Sequence, residues 1–232
     1  GLSSSQIVSL ERSQRASLKF CQGLPKTTRT DICNALLGVY PLETYIDKRK
    51  LLFLGSLCHS TQNCIAHEVF RTRLFLFKNK SCTNPSGFIP DVVQTLKKYG
   101  LLDHLENFTT TGSFVCRSRW KKIVTEAVQS TQRLTWQQRM QTDPDLRTFY
   151  SIQPDVSPHR AWVVARHHSH MKKQCSLIVQ LAALWRPYTV QELCNLCNQH
   201  YDDHLIHKVC VCPHTSQQRD NLWCDILCCG PV

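Results

Sequence analysis

Apolar residues recur at helical spacing along most of the chain. In residues 3–22 they fall near one helical face, and Gly23 is a natural C-terminal stop. Similar patterns predict helices that begin at Pro41, near Pro90, and over residues 65–78, 101–108, 120–140, 159–170 and 172–185. Residues 74–77 could equally form a short buried strand. With only eight glycines, which argues against a Gly-punctuated β-sandwich, the predicted fold class is mainly α.

Two of these helices have a predicted buried face. On the helix that begins at Pro41, the buried face is predicted to be Leu42, Tyr45, Ile46, Phe53 and Leu57. Residues 47–50 would then lie mostly on the opposite, solvent side. On the helix over residues 120–140, the inward side chains are predicted to be Ile123, Val124, Ala127 and Val128.

The net charge of +11 is unevenly distributed along the chain. Residues 1–193 carry a net charge of +13, because only two basic and four acidic residues follow them. An excess of this size is typical of proteins that bind a polyanion, most often a nucleic acid. A solvated basic surface without a partner explains the composition equally well. The apolar runs are far shorter than the roughly 20 residues of a membrane span, so no membrane partner is predicted.

The first residues of the chain and its cysteines help to decide between a secreted and an intracellular protein. Gly1 stands where an initiating Met would be, which suggests a fragment of a longer protein, and no signal-peptide pattern follows it. Of the 14 cysteines, seven lie in the last 39 residues together with four histidines. A secreted disulfide framework is one interpretation, and the sequons at Asn79 and Asn107 mildly favour it. Cysteine mixed with histidine more often binds metal, which favours an intracellular protein.

The C-terminal segment contains a pattern of metal ligands. Cys194 and Cys197 form a Cys-x-x-Cys pair, His207 follows after nine residues, and Cys212 follows after four more. Zn²⁺ binds four such ligands in a tetrahedron, and four protein ligands leave no position for water, so the zinc would be structural. We therefore predict a basic multi-helix region over residues 1–188 and a small zinc-knuckle module over residues 189–232.

Other ligand sets in the same segment remain open. Each of four further residues could replace one member of the predicted set: His200, His204, Cys210 and His214. Cys224, Cys228 and Cys229 have no paired histidine other than His214 and are interpreted as buried or free thiols. We find no nucleophile elbow, no phosphate-binding Gly-rich loop and no His-Glu-x-x-His motif, so no catalytic site is predicted in this chain.

Several sequence blocks along the chain occur together in a recognisable order: Leu10-Glu11-Arg12, Gln22-Gly23-Leu24-Pro25, Pro41-Leu42-Glu43 with Tyr45-Ile46-Asp47 and Arg49-Lys50-Leu51, Gly87-Phe88-Ile89-Pro90-Asp91, Trp120-Lys121 with Ile123-Val124, and Trp162 with Ala165-Arg166. Together they resemble the region that follows the reverse transcriptase domain in non-LTR (LINE-type) retrotransposon polyproteins. The family's Cys-Cys-His-Cys knuckle matches the four ligands, with Asp203 four residues before His207. Arg219-Asp220 and Leu222-Trp223 match its last helix.

The resemblance implies a role in target-primed reverse transcription. It implies that the knuckle and the helices grip RNA or DNA, that the polymerase and endonuclease domains lie upstream of Gly1 in the same polyprotein, and that the protein is nuclear. Phosphate contacts would come from basic helix residues, namely Lys48, Arg49, Lys50, Arg117, Arg119, Lys121 and Lys122. Trp120 or Tyr201 would stack on bases. Alternatives are a structural buttress of the polymerase core and a relic of a mobile element without function.

Overall fold

The fold is mainly α, as the sequence predicts. A computed structural model describes residues 3–60, 64–79, 87–143, 146, 149–150, 152–184, 192–201, 207 and 211–228. Its helices are α1 (Ser4–Gln22), α2 (Thr30–Leu37), α3 (Leu42–Cys58), α4 (Ile65–Lys78), α5 (Phe88–Lys98), α6 (Leu102–Thr111), α7 (Arg117–Thr142), α8 (Arg160–His167), α9 (Lys172–Leu184) and α10 (Ser216–Cys228). Two short antiparallel strands, β1 (Glu192–Leu193) and β2 (His200–Tyr201), lie between α9 and α10. None of the described helices is both long and apolar enough to cross a membrane.

The ends of the first helix follow from local chemistry. The Ser3 hydroxyl accepts a hydrogen bond from the Gln6 backbone N–H at 3.3 Å, and the Gln6 side chain accepts one from the Ser3 N–H at 2.8 Å. This reciprocal pair satisfies two backbone donors that the helix itself leaves free. At the other end, Gly23 adopts φ 65°, a left-handed conformation that glycine enters without a steric cost. Residues 3–22 are therefore confirmed as a helix with a defined start and stop.

The first hydrophobic core joins α3, α4, α5 and α6 to the N-terminal half of α7. Its largest side chain is Trp120, which is 2% exposed and donates a hydrogen bond from Nε1 to the Leu51 carbonyl oxygen at 2.9 Å. The indole lies directly on Gly55, where an added Cβ would come within 2.3 Å of Trp120 Cδ1. Only glycine therefore allows α3 to approach α7 this closely.

The second hydrophobic core joins α2, α8 and α9 to the C-terminal half of α7. Leu36, Val179 and Phe149 are almost fully buried in it, and Trp136 packs edge-on against Phe149. The Trp136 indole N–H donates to the Pro154 carbonyl oxygen at 3.0 Å, so its polar atom is satisfied despite burial. Because α7 contributes to both cores, this 26-residue helix is the common support of the helical region.

The helix that begins at Pro41 buries Leu57 as predicted, but the rest of its buried face differs from the prediction. Asp47 is only 4% exposed, and Leu51 and Leu54 are fully buried beside it, whereas Tyr45 and Phe53 are 41% and 54% exposed. The prediction assumed that a charged residue lies outside. Asp47 is buried because Lys98 Nζ and the Tyr99 hydroxyl donate hydrogen bonds to its carboxylate, at 2.8 Å and 3.1 Å.

Other helix predictions are mostly confirmed. Residues 74–77 belong to helix α4 and not to a strand, and Val124 and Val128 are buried on α7 with Ile123 and Ala127 partly buried. The helix predicted over residues 159–170 ends at His167 and is followed by one short 3₁₀ turn. Helix α2 was not predicted, although its buried Ile32, Cys33, Ala35 and Leu36 form one face. The division at residue 188 stays a prediction.

Candidate metal centre

A short β-hairpin brings the first two cysteines of the cluster together. β1 pairs with β2 through Leu193 opposite His200, and Cys194 follows directly after β1. The turn closes with a hydrogen bond from the Cys194 N–H to the Gln199 carbonyl at 2.9 Å, and one from the Asn198 N–H to the Cys194 carbonyl at 2.8 Å. Asn198 has φ 57°, a left-handed conformation that asparagine tolerates better than most residues. The Cys-x-x-Cys pair is thus held in a tight turn by its own backbone.

The other two ligands come from a second turn that leads into α10. The Cys212 N–H donates to the His207 carbonyl, which places the two residues side by side. Pro213 then begins a 3₁₀ turn before α10. From the first turn of α10, Arg219 Nη1 donates to the Cys212 carbonyl at 2.7 Å and to the Thr215 hydroxyl at 3.0 Å. Arg219 therefore connects α10 to the cluster through its hydrogen bond to Cys212.

The four predicted ligand atoms converge on one point. The Sγ atoms of Cys194, Cys197 and Cys212 and a ring nitrogen of His207 all lie within 4.8 Å of one another. Cys194 Sγ is 4.0 Å from Cys212 Sγ, and Cys197 Sγ is 3.2 Å from His207 Nε2. A tetrahedral ion with bonds of ~2.0–2.3 Å requires ligand separations of roughly 3.5–3.8 Å. The cluster could therefore hold a metal ion.

Burial of the cluster favours a bound cation over free thiols. Cys194 and Cys212 are fully buried and His207 is 5% exposed, while Cys197 is partly exposed. Burial raises the pKa of Cys194, but hydrogen bonds from the backbone N–H groups of Cys197 and Leu196 outweigh it, and the pKa falls to about 6. Burial, together with the neighbouring thiols, raises the pKa of Cys197. The raised pKa of Cys197 reflects the cost of a second negative charge beside Cys194, and a bound cation would remove that repulsion.

The alternative ligands do not belong to this cluster as far as the structure describes them. His200 and His214 are exposed, and neither contributes an atom to the group of four. Cys224 is exposed on α10 as a free thiol. His204, Cys210 and Cys229 lie outside the described residues, as does the side chain of Cys228.

The basic residues predicted at the start of α7 are exposed to solvent. Arg117, Arg119, Lys121 and Lys122 occupy its first two turns and are all exposed. Within the described residues, only Lys122 of these four has a carboxylate nearby, Glu126 at 3.9 Å. Cations at a helix N-terminus are opposed by the helix dipole. A phosphate bound there would relieve this unfavourable arrangement.

The α3 candidates and the aromatic candidates are less suited to nucleic-acid contact. Arg49 is exposed and Lys48 is half-buried, but Lys50 forms an ion pair with Asp91 at 2.8 Å, which neutralises its charge locally. Trp120 is buried in the first core, so the prediction that it stacks on a base is wrong. Its place in the i, i+4 pattern with Val124 and Val128 marks it as a core residue. The side chain of Tyr201 lies outside the described residues.

Comparisons with known proteins do not add a family to these observations. No protein-family model, no curated protein and no solved structure matches the chain. The similarity to the non-LTR retrotransposon region thus rests on the sequence blocks and stays a prediction.

Sequence reasoning gave Arg219 no role in the metal centre, although its position seven residues after Cys212, at the start of a helical pattern, was the available signal.

Proposed function

We propose that this chain is the nucleic-acid-binding segment that follows the polymerase in a non-LTR retrotransposon reverse transcriptase. One observation carries the proposal: Cys194, Cys197, His207 and Cys212 form a four-ligand cluster at the positions where that family has its knuckle. The upstream polymerase domain would be its covalent partner and RNA or DNA its ligand, in the nucleus. No catalytic role is proposed for the chain itself.

We propose Zn²⁺ as the metal and a structural role for it. Three thiolates and one imidazole are soft to borderline ligands, which suit Zn²⁺ better than Mg²⁺ or Ca²⁺. All four tetrahedral positions would be occupied by protein, so no water could be activated on the ion. The ion would hold the hairpin of Cys194 and Cys197 against the turn of His207 and Cys212, and through Arg219 would position α10.

Exposed basic residues support the nucleic-acid part of the proposal. The chain has a net charge of +11, and three exposed cations at the start of α7, Arg117, Arg119 and Lys121, have no ion pair within the described residues. Such side chains release counterions when they contact phosphates, and binding then weakens steeply with salt.

Fluorescence anisotropy with the zinc-loaded chain and a labelled oligonucleotide tests this proposal. Between low and moderate salt, affinity should fall, and each lost phosphate contact should flatten the logarithmic slope by ~0.7 on a single strand. The triple variant Arg117→Gln/Arg119→Gln/Lys121→Gln should bind more weakly with a flatter slope. A control of equal charge, Arg12→Gln/Lys26→Gln/Arg160→Gln, should keep most of the affinity. An affinity that does not depend on salt would contradict the proposal.

A structural buttress is the second candidate function. Helix α1 exposes Val8, Leu10 and Phe20, the last of them by 87%, and these apolar side chains could pack on a neighbouring domain. If the buttress is the whole function, the purified chain should self-associate and should bind no oligonucleotide. Light scattering together with the anisotropy titration distinguishes the two. Without either activity, the chain would be a relic.

A further inference from the structure

A cleft lies between α4 and α6, with the end of α3 at its floor. Its volume is about 620 Å³, large enough for one nucleotide unit of a strand. Arg71, Phe75 and Lys78 of α4 form one wall, and the hydroxyl-bearing residues 109–111 of α6 form the other. None of the described residues that line it is acidic.

The α4 wall has a regular spacing. Arg71, Phe75 and Lys78 are separated by four and three residues, so they lie on one side of the helix. Leu74 and Phe70 of the same helix are buried in the first core, at 5% and 4% exposure, whereas Phe75 is 66% exposed. The packing of α4 therefore does not require Phe75. Its ring lines the cleft, one helical turn from Arg71 and one from Lys78.

The cleft offers cationic N–H groups that can bind an anion, and hydroxyl oxygens that can accept hydrogen bonds from the same ligand. Neither Arg71 nor Lys78 forms an ion pair within the described part of the chain. Lys78 Nζ donates to the Thr109 hydroxyl, which leaves two further N–H donors on the ammonium group. The hydroxyls of residues 109–111 each donate to a carbonyl of α6, so their oxygens can still accept hydrogen bonds.

We infer that this cleft binds one unit of a single-stranded nucleic acid. A base would stack on Phe75, the adjoining phosphates would contact Arg71 and Lys78, and base or sugar donors would reach the hydroxyls of α6. An exposed aromatic ring between cations is the arrangement by which proteins hold single strands without reading sequence. The inference rests on the proposed function and specifies where the strand lies. It adds α4, which contributes none of the residues predicted from the sequence, to the binding surface.

The test uses the full zinc-loaded chain and a fluorescein-labelled oligo(dT) of about 12 nucleotides, a length within the range of single-strand sites. Phe75→Leu keeps an apolar side chain but removes the stacking ring, and it should weaken binding at least about fivefold. Phe75→Tyr restores an aromatic ring and should bind as the unchanged chain does. The matched control is Phe20→Leu, at an exposed phenylalanine on α1 that does not line the cleft.

A second pair of variants tests the charges. Arg71→Gln should weaken binding and flatten its salt dependence, because one phosphate contact is lost. Arg73→Gln, at an exposed neighbour that does not line the cleft, should change binding much less. Circular dichroism should be unchanged in all variants, since these side chains are exposed.

The outcomes separate the inference from the function on which it rests. If the unchanged chain binds with the expected salt dependence but Phe75→Leu binds equally well, the strand does not use the cleft, and only the inference fails. If Phe75→Leu and Phe20→Leu weaken binding equally, the effect is not specific to the cleft and the inference again fails. If the unchanged chain does not bind oligo(dT) or an RNA of the same length, both fail.

Discussion

The helical region and the C-terminal segment are stabilised in different ways. The helical region has two apolar cores that contain Trp120, Phe149 and most of the buried leucines. In the described part of the C-terminal segment, the only buried cluster consists of Cys194 and Cys212 with Cys197 packed against them. A segment this small buries too little apolar surface to fold by the hydrophobic effect alone. A metal ion would replace the missing core, so the two regions should respond to different perturbations.

The largest expected effect is loss of the C-terminal fold when the metal is removed. Structural zinc contributes about 10–16 kcal/mol to the folding of such modules, so Cys197→Ser should abolish both metal binding and the local structure. Native mass spectrometry of the reduced chain should show one zinc in the unchanged protein and none in the variant. Limited proteolysis should then cut the C-terminal segment while the helical region resists.

The matched control is Cys224→Ser. Cys224 is an exposed thiol of the same segment that is not part of the cluster, so its replacement should leave the zinc content at one per chain. If Cys197→Ser retains its zinc, the assignment of the four ligands is wrong. If the helical region unfolds together with the C-terminal segment, the contrast between the two regions is wrong instead.

A cavity in the first core should instead destabilise the helical region and leave the metal centre unchanged. Trp120→Ala removes a side chain that is 2% exposed and its hydrogen bond to Leu51, and should lower the free energy of unfolding by about 3–5 kcal/mol. Leu134→Ala, on the same helix at 66% exposure, should change it by less than about 0.5 kcal/mol. Urea denaturation followed by circular dichroism measures both. The zinc content should not change in either variant, and loss of zinc in Trp120→Ala would show that the two regions depend on each other.

Periodicity predicted the helices well but predicted their faces less well. Val124 and Val128 of α7 were correctly placed inside, because on this helix the apolar spacing coincides with the side that meets the core. On α3, Asp47 was placed outside because charged residues rarely lose their solvent. Its partners Lys98 and Tyr99 lie about 50 residues further along the chain, so only the folded structure brings them together.

The metal ligands were easier to predict than the nucleic-acid contacts. Four ligands must approach one ion, and this requirement fixes residue types and spacing that a sequence displays directly. Contact with a phosphate requires only an exposed cation, and exposure depends on tertiary packing. Trp120 was chosen wrongly, because its ring is buried against α3. Lys50 stays a prediction, although its ion pair with Asp91 makes it a weaker candidate.

The smallest predicted effect concerns the buried polar contact of the helical region and its response to high pH. Burial raises the pKa of Tyr99 to about 12, and the carboxylate of Asp47 adds to the shift. Burial acts against the charge of Lys98, but its hydrogen bonds to Asp47 and Glu43 prevail and raise its pKa. Both values lie above those of the unfolded chain, about 10 for tyrosine and about 10.4 for lysine. The stabilisation is therefore complete below pH ~10 and is lost as the pH rises through the folded values.

Asp47→Asn should reveal this contribution. At neutral pH it should lower the free energy of unfolding by about 1–3 kcal/mol, because the Lys98 and Tyr99 donors lose a charged acceptor. It should also make the decline of stability above pH ~10 shallower than in the unchanged chain. Asp103→Asn, at an exposed carboxylate of α6, is the control and should alter neither. Urea titrations at neutral pH and above pH 10 decide the matter: an unchanged high-pH decline in Asp47→Asn would mean that this carboxylate does not set the pH dependence.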